Sequence, residues 1–173
     1  MSNSNINGFS FTRVYTSGEL PGAVGTIHNE LGRSYVLCKN AGATSTAAGD
    51  IASIYSTFAF GSVSVTAATI IDITDGTTIR PIVGGVCGAV AATGEYLWLW
   101  YRGYGTHNIT TDGNVVALDM LSVTDGAVIA TRDVAQALGH RCIGYATATD
   151  VSTTVSGVIL HGGGQMYPWG LGN

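Results

Sequence analysis

The sequence predicts an all-β fold, a compact β-barrel or β-sandwich with an extended N-terminal arm. Three observations carry this. Glycine is abundant at 25 of 173 residues while proline numbers only 3. The strong helix formers Glu, Lys, Gln and Arg are scarce, and β-branched residues come in short runs separated by Gly and Asp-Gly. Thr-Asp-Gly recurs at Thr74–Gly76, Thr111–Gly113 and Thr124–Gly126, each flanked by β-prone residues. Asp-Gly favours the left-handed pair of a type I′ hairpin turn, so each tripeptide is expected to close a hairpin.

From the N-terminus, Met1–Gly8 is polar and rich in Asn and Ser. Phe9, Phe11 and Tyr15 then share the odd positions, and Leu20-Pro21-Gly22 reads as a turn. Residues 1–30 are therefore expected to be an extended arm that binds a partner surface through Phe9, Phe11, Tyr15 and Leu20, the alternative being a frayed terminus. Residues 31–162 form the β-rich domain and 163–173 a C-terminal tail. Expected strands are Ser34–Lys39, Ile51–Phe60, Val63–Ile73, Thr77–Ile79, Val86–Ala91, Tyr96–Arg102, Val115–Leu121, Ala127–Thr131, Cys142–Ala148 and Val155–Leu160. Pro81 marks a strand end or an edge. One short helix is expected, capped by Asp133 and closed by Gly139. Cys87–Gly103 and Ile143–Gly162 resemble each other, each a Gly-led small-residue strand, a turn, and an apolar strand ending in a basic residue and Gly. Chance similarity in a Gly/Ala-rich chain is the alternative to a true repeat.

Tyr96-Leu97-Trp98-Leu99-Trp100-Tyr101 is the most unusual segment. Tyr96, Trp98 and Trp100 share one face, Leu97, Leu99 and Tyr101 the other, and both faces are apolar. Such a strand is either central in a core or has one face in a subunit interface.

Length and charge limit the function. By area scaling a chain of 173 residues folds to about 8,000 Å² of surface, burying roughly 69% of what it exposes unfolded, which makes a core without disulfides or metals. It carries 7 basic and 11 acidic residues, a net charge of −4. No basic face can be assembled for nucleic acid or an anionic membrane. So low a charge implies a surface covered by copies of the chain or by a partner. The longest apolar stretch, Ile82–Ala92, contains three glycines and is too short to span a bilayer. The N-terminus has no basic region followed by an apolar one, so it is not read as a secretory signal. Cys38, Cys87 and Cys142 are odd in number and far apart, as expected of reduced core thiols in a cytoplasmically made protein.

No catalytic or metal site and no cofactor is expected. His161-Gly162-Gly163-Gly164 matches an oxyanion loop of lipases, but the chain has no Gly-x-Ser-x-Gly nucleophile elbow. His140 and Cys142 could face one way on a strand and His28, His107, Cys38 and Cys87 are available as further ligands, yet no Cys-x-x-Cys or His-x-x-x-His completes a metal clip. Gly84-Gly85-Val86-Cys87-Gly88 lacks the Gly-Lys-Ser/Thr of a phosphate loop. Asp50, Asp72, Asp119 and Asp133 each stand alone, and Asp75, Asp112 and Asp125 belong to turns.

Gly32–Asn40, Ala48–Ile51, Gly85–Ala91 and Gly94–Trp100 together resemble the small β-rich decoration, or cement, proteins of tailed-bacteriophage heads. There a Tyr-Val-x-x-Lys-Asn strand precedes a Gly-Asp strand start, and a Gly-Val-Ala-like strand turns through Gly-x-Tyr into an aromatic strand. The resemblance covers about Gly32–Gly103 and runs more loosely to Gly162; the arm and Thr106–Ala137 have no counterpart. It implies a homotrimer on the outside of an icosahedral capsid, bound to the major capsid protein, made in the bacterial host cytoplasm and without catalytic residues. A different reading is a carbohydrate-binding or tail-fibre-type β-sandwich using Trp98, Trp100, Tyr101 and Tyr104.

Overall fold

A computed structural model describes residues 9–40, 45–55, 64–66, 82–123, 130–132 and 141–161. Every regular element among them is a strand. In chain order these are β1 Val14–Tyr15, β2 Ile27–Glu30, β3 Arg33–Asn40, β4 Ile51–Tyr55, β5 Ser64–Thr66, β6 Ile82–Cys87, β7 Tyr96–Gly105, β8 Ile109–Thr110, β9 Met120–Val123, β10 Ala130–Arg132, β11 Arg141–Ala146, β12 Thr154–Val155 and β13 Val158–His161. The protein is all-β.

Eleven strands make one sheet, in the order β10-β9-β11-β13-β7-β6-β4-β5-β3-β2, with β1 added to β7; β8 and β12 pair separately. The sheet ends in β2 and β10, so it is not closed into a barrel. Its hub is the long apolar strand β7. One edge of β7 takes β3 from Tyr96 to Arg102. The other edge takes β1 at Tyr96 and Leu97, β6 at Leu99 and Trp100, and β13 from Arg102 to Gly105. Because β3 pairs with both β7 and β5, the pairings β7–β6–β4–β5–β3–β7 trace a ring, whose β3–β5 link is parallel and two residue pairs long.

Both faces of β7 are buried, and each has its own core. Trp98 and Trp100 pack with Tyr35, Leu37, Ile51 and Val86, and with Leu121, Ile143, Ala146, Val158 and Leu160 from the β9–β13 side. Leu97 and Leu99 pack with Val36, Cys38, Ala52, Cys87 and Ala91, a set dominated by small side chains that suits the tighter space within the ring. Strict alternation fails past Tyr101. Ser34 opposes Arg102 while Tyr35 opposes Trp100, so Tyr101 is an extra residue in β7. A bulge of this kind reverses which side chains face inward. Arg102 and Tyr104 therefore reach solvent although they share parity with Trp98 and Trp100. Gly105 comes in against the Trp100 ring instead, where a Cβ would overlap it.

Residues 9–30, expected as an arm on a partner, lie on the chain's own sheet. β1 pairs with β7 and β2 with β3. Tyr15 is 1% exposed, and Phe9, Phe11 and Leu20 pack against the tryptophan core. Burial beside Trp98 and Trp100 removes from water the same side chains that made an external partner necessary. Residues 1–8 are outside the described set.

Several strand expectations change. β6 stops at Cys87, because the Thr46 hydroxyl accepts from Ala91 N–H and donates to Ala89 C=O, which takes that segment out of the ladder. Val115–Asp119 is a turn, because the Asp150 carboxylate accepts from Val115 N–H and the Asp119 carboxylate from Val116 N–H. The last expected strand is split into β12 and β13 at Ser156–Gly157. Thr111–Gly113 is no hairpin; Asp112 accepts from Asn114 N–H and β8 turns to β12. β9 and β10 do form an antiparallel pair across the segment holding Thr124–Gly126. Thr74–Gly76, Thr77–Ile79, Pro81 and the Asp133–Gly139 helix lie outside the described residues. β1, β2 and β8 were not expected.

The two similar segments are two antiparallel strand pairs, β6–β7 and β11–β13, joined through β7 and β13. Their terminal basic residues, Arg102 and His161, sit opposite each other in that junction. Gly88 and Gly144 occupy matching places, and at each a Cβ would overlap a carbonyl oxygen, of Phe11 and of Ile159.

Cys38 and Cys87 are buried free thiols. Burial raises both, and Cys87 is pushed up to about 12 with the Asp50 charge adding to the effect. A maleimide at pH 8 should therefore leave both unmodified in the native chain and modify both in urea. Fast native labelling of either would mean that the ring opens.

Candidate functional site

Two features stand out on this frame. The first is an aromatic and imidazole cluster that four separate segments assemble under residues 9–15. β3 supplies Arg33 and Tyr35, β2 His28, β7 Trp98 and Trp100, and the connection after β7 supplies His107. Phe9 stacks on His28 at 3.9 Å between centroids, and Phe11 lies over His107 at 4.2 Å. Arg33 Nη1 approaches His107 Nε2 at 3.4 Å and the Tyr35 hydroxyl approaches the same nitrogen at 3.0 Å. A guanidinium has only donors, so Nε2 is the unprotonated nitrogen and Tyr35 also donates to it. Burial and then the Arg33 charge hold His107 below its ordinary pKa. Burial raises Tyr35, with Arg33 opposing and Glu30 adding to the rise. His28 is buried with neither ring nitrogen partnered, and Trp98 Nε1 is likewise unpartnered among the described residues. Trp100 Nε1, by contrast, donates to Arg102 C=O at 2.9 Å. Among the described residues the cluster holds bases and donors, with Tyr35 and His107 in hydrogen-bond contact and no carboxylate bonded to His107.

The second feature is a row on the outer face of the β7–β13–β11–β9 portion. Ile159 opposes Tyr104 on one side and Tyr145 on the other, and Tyr145 opposes Met120. Tyr104 is 56% exposed, Ile159 41% and Tyr145 41%. Together they present on the order of 300 Å² of surface, the size of the largest apolar patch on a typical monomer. The bulge at Tyr101 and the register of β13 create this row.

The residues singled out by sequence divide between these places. Phe9, Phe11 and Tyr15 join the cluster and Leu20 packs nearby on the core. Trp98 and Trp100 are fully buried, with no face free to stack on a sugar; Tyr96 and Tyr101 are half-buried. Tyr104 alone of that set is well exposed. The aspartates are structural where described: Asp119 pairs with Arg132 at 3.1 Å, Asp50 accepts from Ala47 N–H, and Asp150 ties Thr111 to Val115. His140 and Gly162–Gly164 are outside the described residues, as is the Cys142 side chain. No three His, Cys, Asp or Glu side chains gather as metal ligands among the described residues. The sequence points to His28 and His107 only as available metal ligands and does not single out Tyr35, Tyr145 and Ile159 as site residues, because partners such as Tyr35 and His107 are 72 residues apart and no local pattern links them.

No family model, no curated protein and no solved structure matches this chain.

Proposed function

We propose that this chain is a structural binding protein that decorates the outside of an icosahedral phage head, associating with itself as a trimer and with the major capsid protein. The observation that carries the reading is the exposed Tyr104–Ile159–Tyr145 row on a rigid, hydrogen-bonded sheet face. Tyr is enriched in the cores of protein interfaces, and a preorganised sheet face loses little entropy on docking. Low charge supports the same reading, since 18 charged residues leave much of the surface suited to coverage. The segments that resemble decoration proteins lie in β3, the start of β4, β6 and β7; of the row, Tyr104 is on one of these strands, β7, and Ile159 and Tyr145 are on β13 and β11. A protein of this kind stabilises a shell by binding the assembled state in preference to its parts.

Two measurements test the reading. The chain should co-sediment at fixed copy number with purified heads that lack it, and light scattering at micromolar concentration should give a mass about threefold above 17.8 kDa. Tyr104→Ser and Ile159→Ser should each weaken one or both associations at least tenfold, with an unchanged circular dichroism spectrum. A monomer that ignores heads would refute the proposal, and undiminished binding by the double variant would remove the row from it.

A further inference from the structure

Residues 9–20 are held to the sheet by few backbone pairs. β1 contributes two residue pairs to β7. The remaining attachments are side chains, chiefly Phe9 on His28, Phe11 on His107 and Tyr35, and Tyr15 in the core. The Phe11 backbone fits against Gly88, where a Cβ would displace it. Both phenylalanine rings of the segment therefore rest on imidazoles, Phe9 stacked on His28 and Phe11 tilted against His107, whose Nε2 is the acceptor for Arg33 and Tyr35.

We propose that residues 9–20 form a strap whose hold on the sheet loosens in acid, latched through neutral His107. This inference does not depend on the capsid reading. A proton on Nε2 takes away the acceptor that Arg33 uses and places an imidazolium 3.4 Å from a guanidinium. The groups facing His107 offer it no compensation. β3 presents Arg33 and Tyr35, β7 presents Trp100, and the strap presents Phe11, with Arg13 nearby over Tyr15. Beneath the strap, β2 adds His28, under Phe9. Among the described residues no carboxylate pairs with His107; Glu30, whose charge reaches Tyr35, stands opposite Arg33 in the ladder. The half-buried imidazolium relieves the repulsion by turning to water, which takes from Phe11 its contact with the His107 ring and leaves the weaker one with Tyr35. Cation–π attraction to Phe11 acts the other way, but at a partly solvated site it is weaker than like charges in contact.

The sign follows from linkage. His107 is held below its ordinary value of 6.5 in the folded chain, so the unfolded or opened state binds more protons. The part of the strap's stability that neutral His107 contributes is fully present above about pH 6.5 and is lost as pH falls below it.

Hydrogen exchange on the full chain, read by mass spectrometry and corrected for intrinsic rates, tests this at pH 7.5 and 5.0. Peptides spanning residues 9–20 should exchange at least tenfold faster at pH 5.0, while those spanning β3 and β7 change little. His107→Gln keeps an acceptor oxygen and cannot titrate, so its strap should exchange equally at both values. If that variant does not fold, Arg33→Met, which removes the like charge, should move the opening to lower pH. Equal strap protection in the natural chain at both values overturns the proposal. So does a pH dependence that persists in His107→Gln, or one that is unmoved in Arg33→Met.

Discussion

A chain shortened to begin at Leu31 should fail to form the native sheet. The removed segment holds β1, β2 and the aromatic cover of the larger core. Tyr15 alone, at 1% exposure, accounts for about 1.5–3 kcal/mol of burial. Phe9, Phe11 and Leu20 add partial burial. Their loss also exposes Tyr35, Trp98 and the unpaired ring of His28. The total is comparable with the roughly 5–15 kcal/mol by which domains are stable. Ordering the segment has an entropic cost, but most of its residues are held by ladder pairs, turns and contacts that offset it. Urea titration followed by tryptophan fluorescence reads the outcome. A shortened chain with the midpoint of the full one would show that residues 9–30 are a dispensable arm after all. Tyr15→Ala is the milder form of the experiment and should cost about 3–5 kcal/mol, as truncation of a large core aromatic does.

The two core tryptophans should respond differently to the same substitution. Trp98→Ala and Trp100→Ala each leave a large cavity and should cost about 3–5 kcal/mol. Phenylalanine separates them. Trp98 Nε1 is buried without a partner among the described residues, so Trp98→Phe removes a polar group that contributes no hydrogen bond. The change offsets part of the volume loss and should cost about 1 kcal/mol or less. Trp100 Nε1 donates to Arg102 C=O beside the Tyr101 bulge. Trp100→Phe breaks that bond, loosens the bulge, and should cost about 2–3 kcal/mol. Denaturant unfolding of the four variants gives the comparison. Equal cost for the two phenylalanine variants would mean that the Trp98 and Trp100 indole N–H groups are equivalently placed.

The legible parts of this protein are those that local chemistry dictates. β3 was readable from Tyr35-Val36-Leu37-Cys38, and β7 from six large apolar residues in succession whose two faces both had to be buried. The Gly-rich strands were readable as places of close backbone approach, which Gly88 and Gly144 are. The segments that misled were those where side chains compete with the ladder for backbone groups. Val115–Asp119 has strand composition but two aspartates claim its N–H groups, one of them, Asp150, 35 residues away. The cluster of His28, Tyr35 and His107 is illegible for a different reason, since its members come from two strands and a connection and touch only after the sheet forms.

By itself, then, the sequence determined that the chain is all-β, that Tyr96–Tyr101 is a strand with two apolar faces, and that few charges cover its surface, because composition and period-two patterning act residue by residue. Only the tertiary structure decided where residues 9–30 lie and which side chains meet water beyond Trp100. The N-terminal aromatics needed an apolar surface, and no local rule says whether that surface belongs to the same chain. A single extra residue at Tyr101 reverses the inward face of β7, and it is visible only in the register with β3.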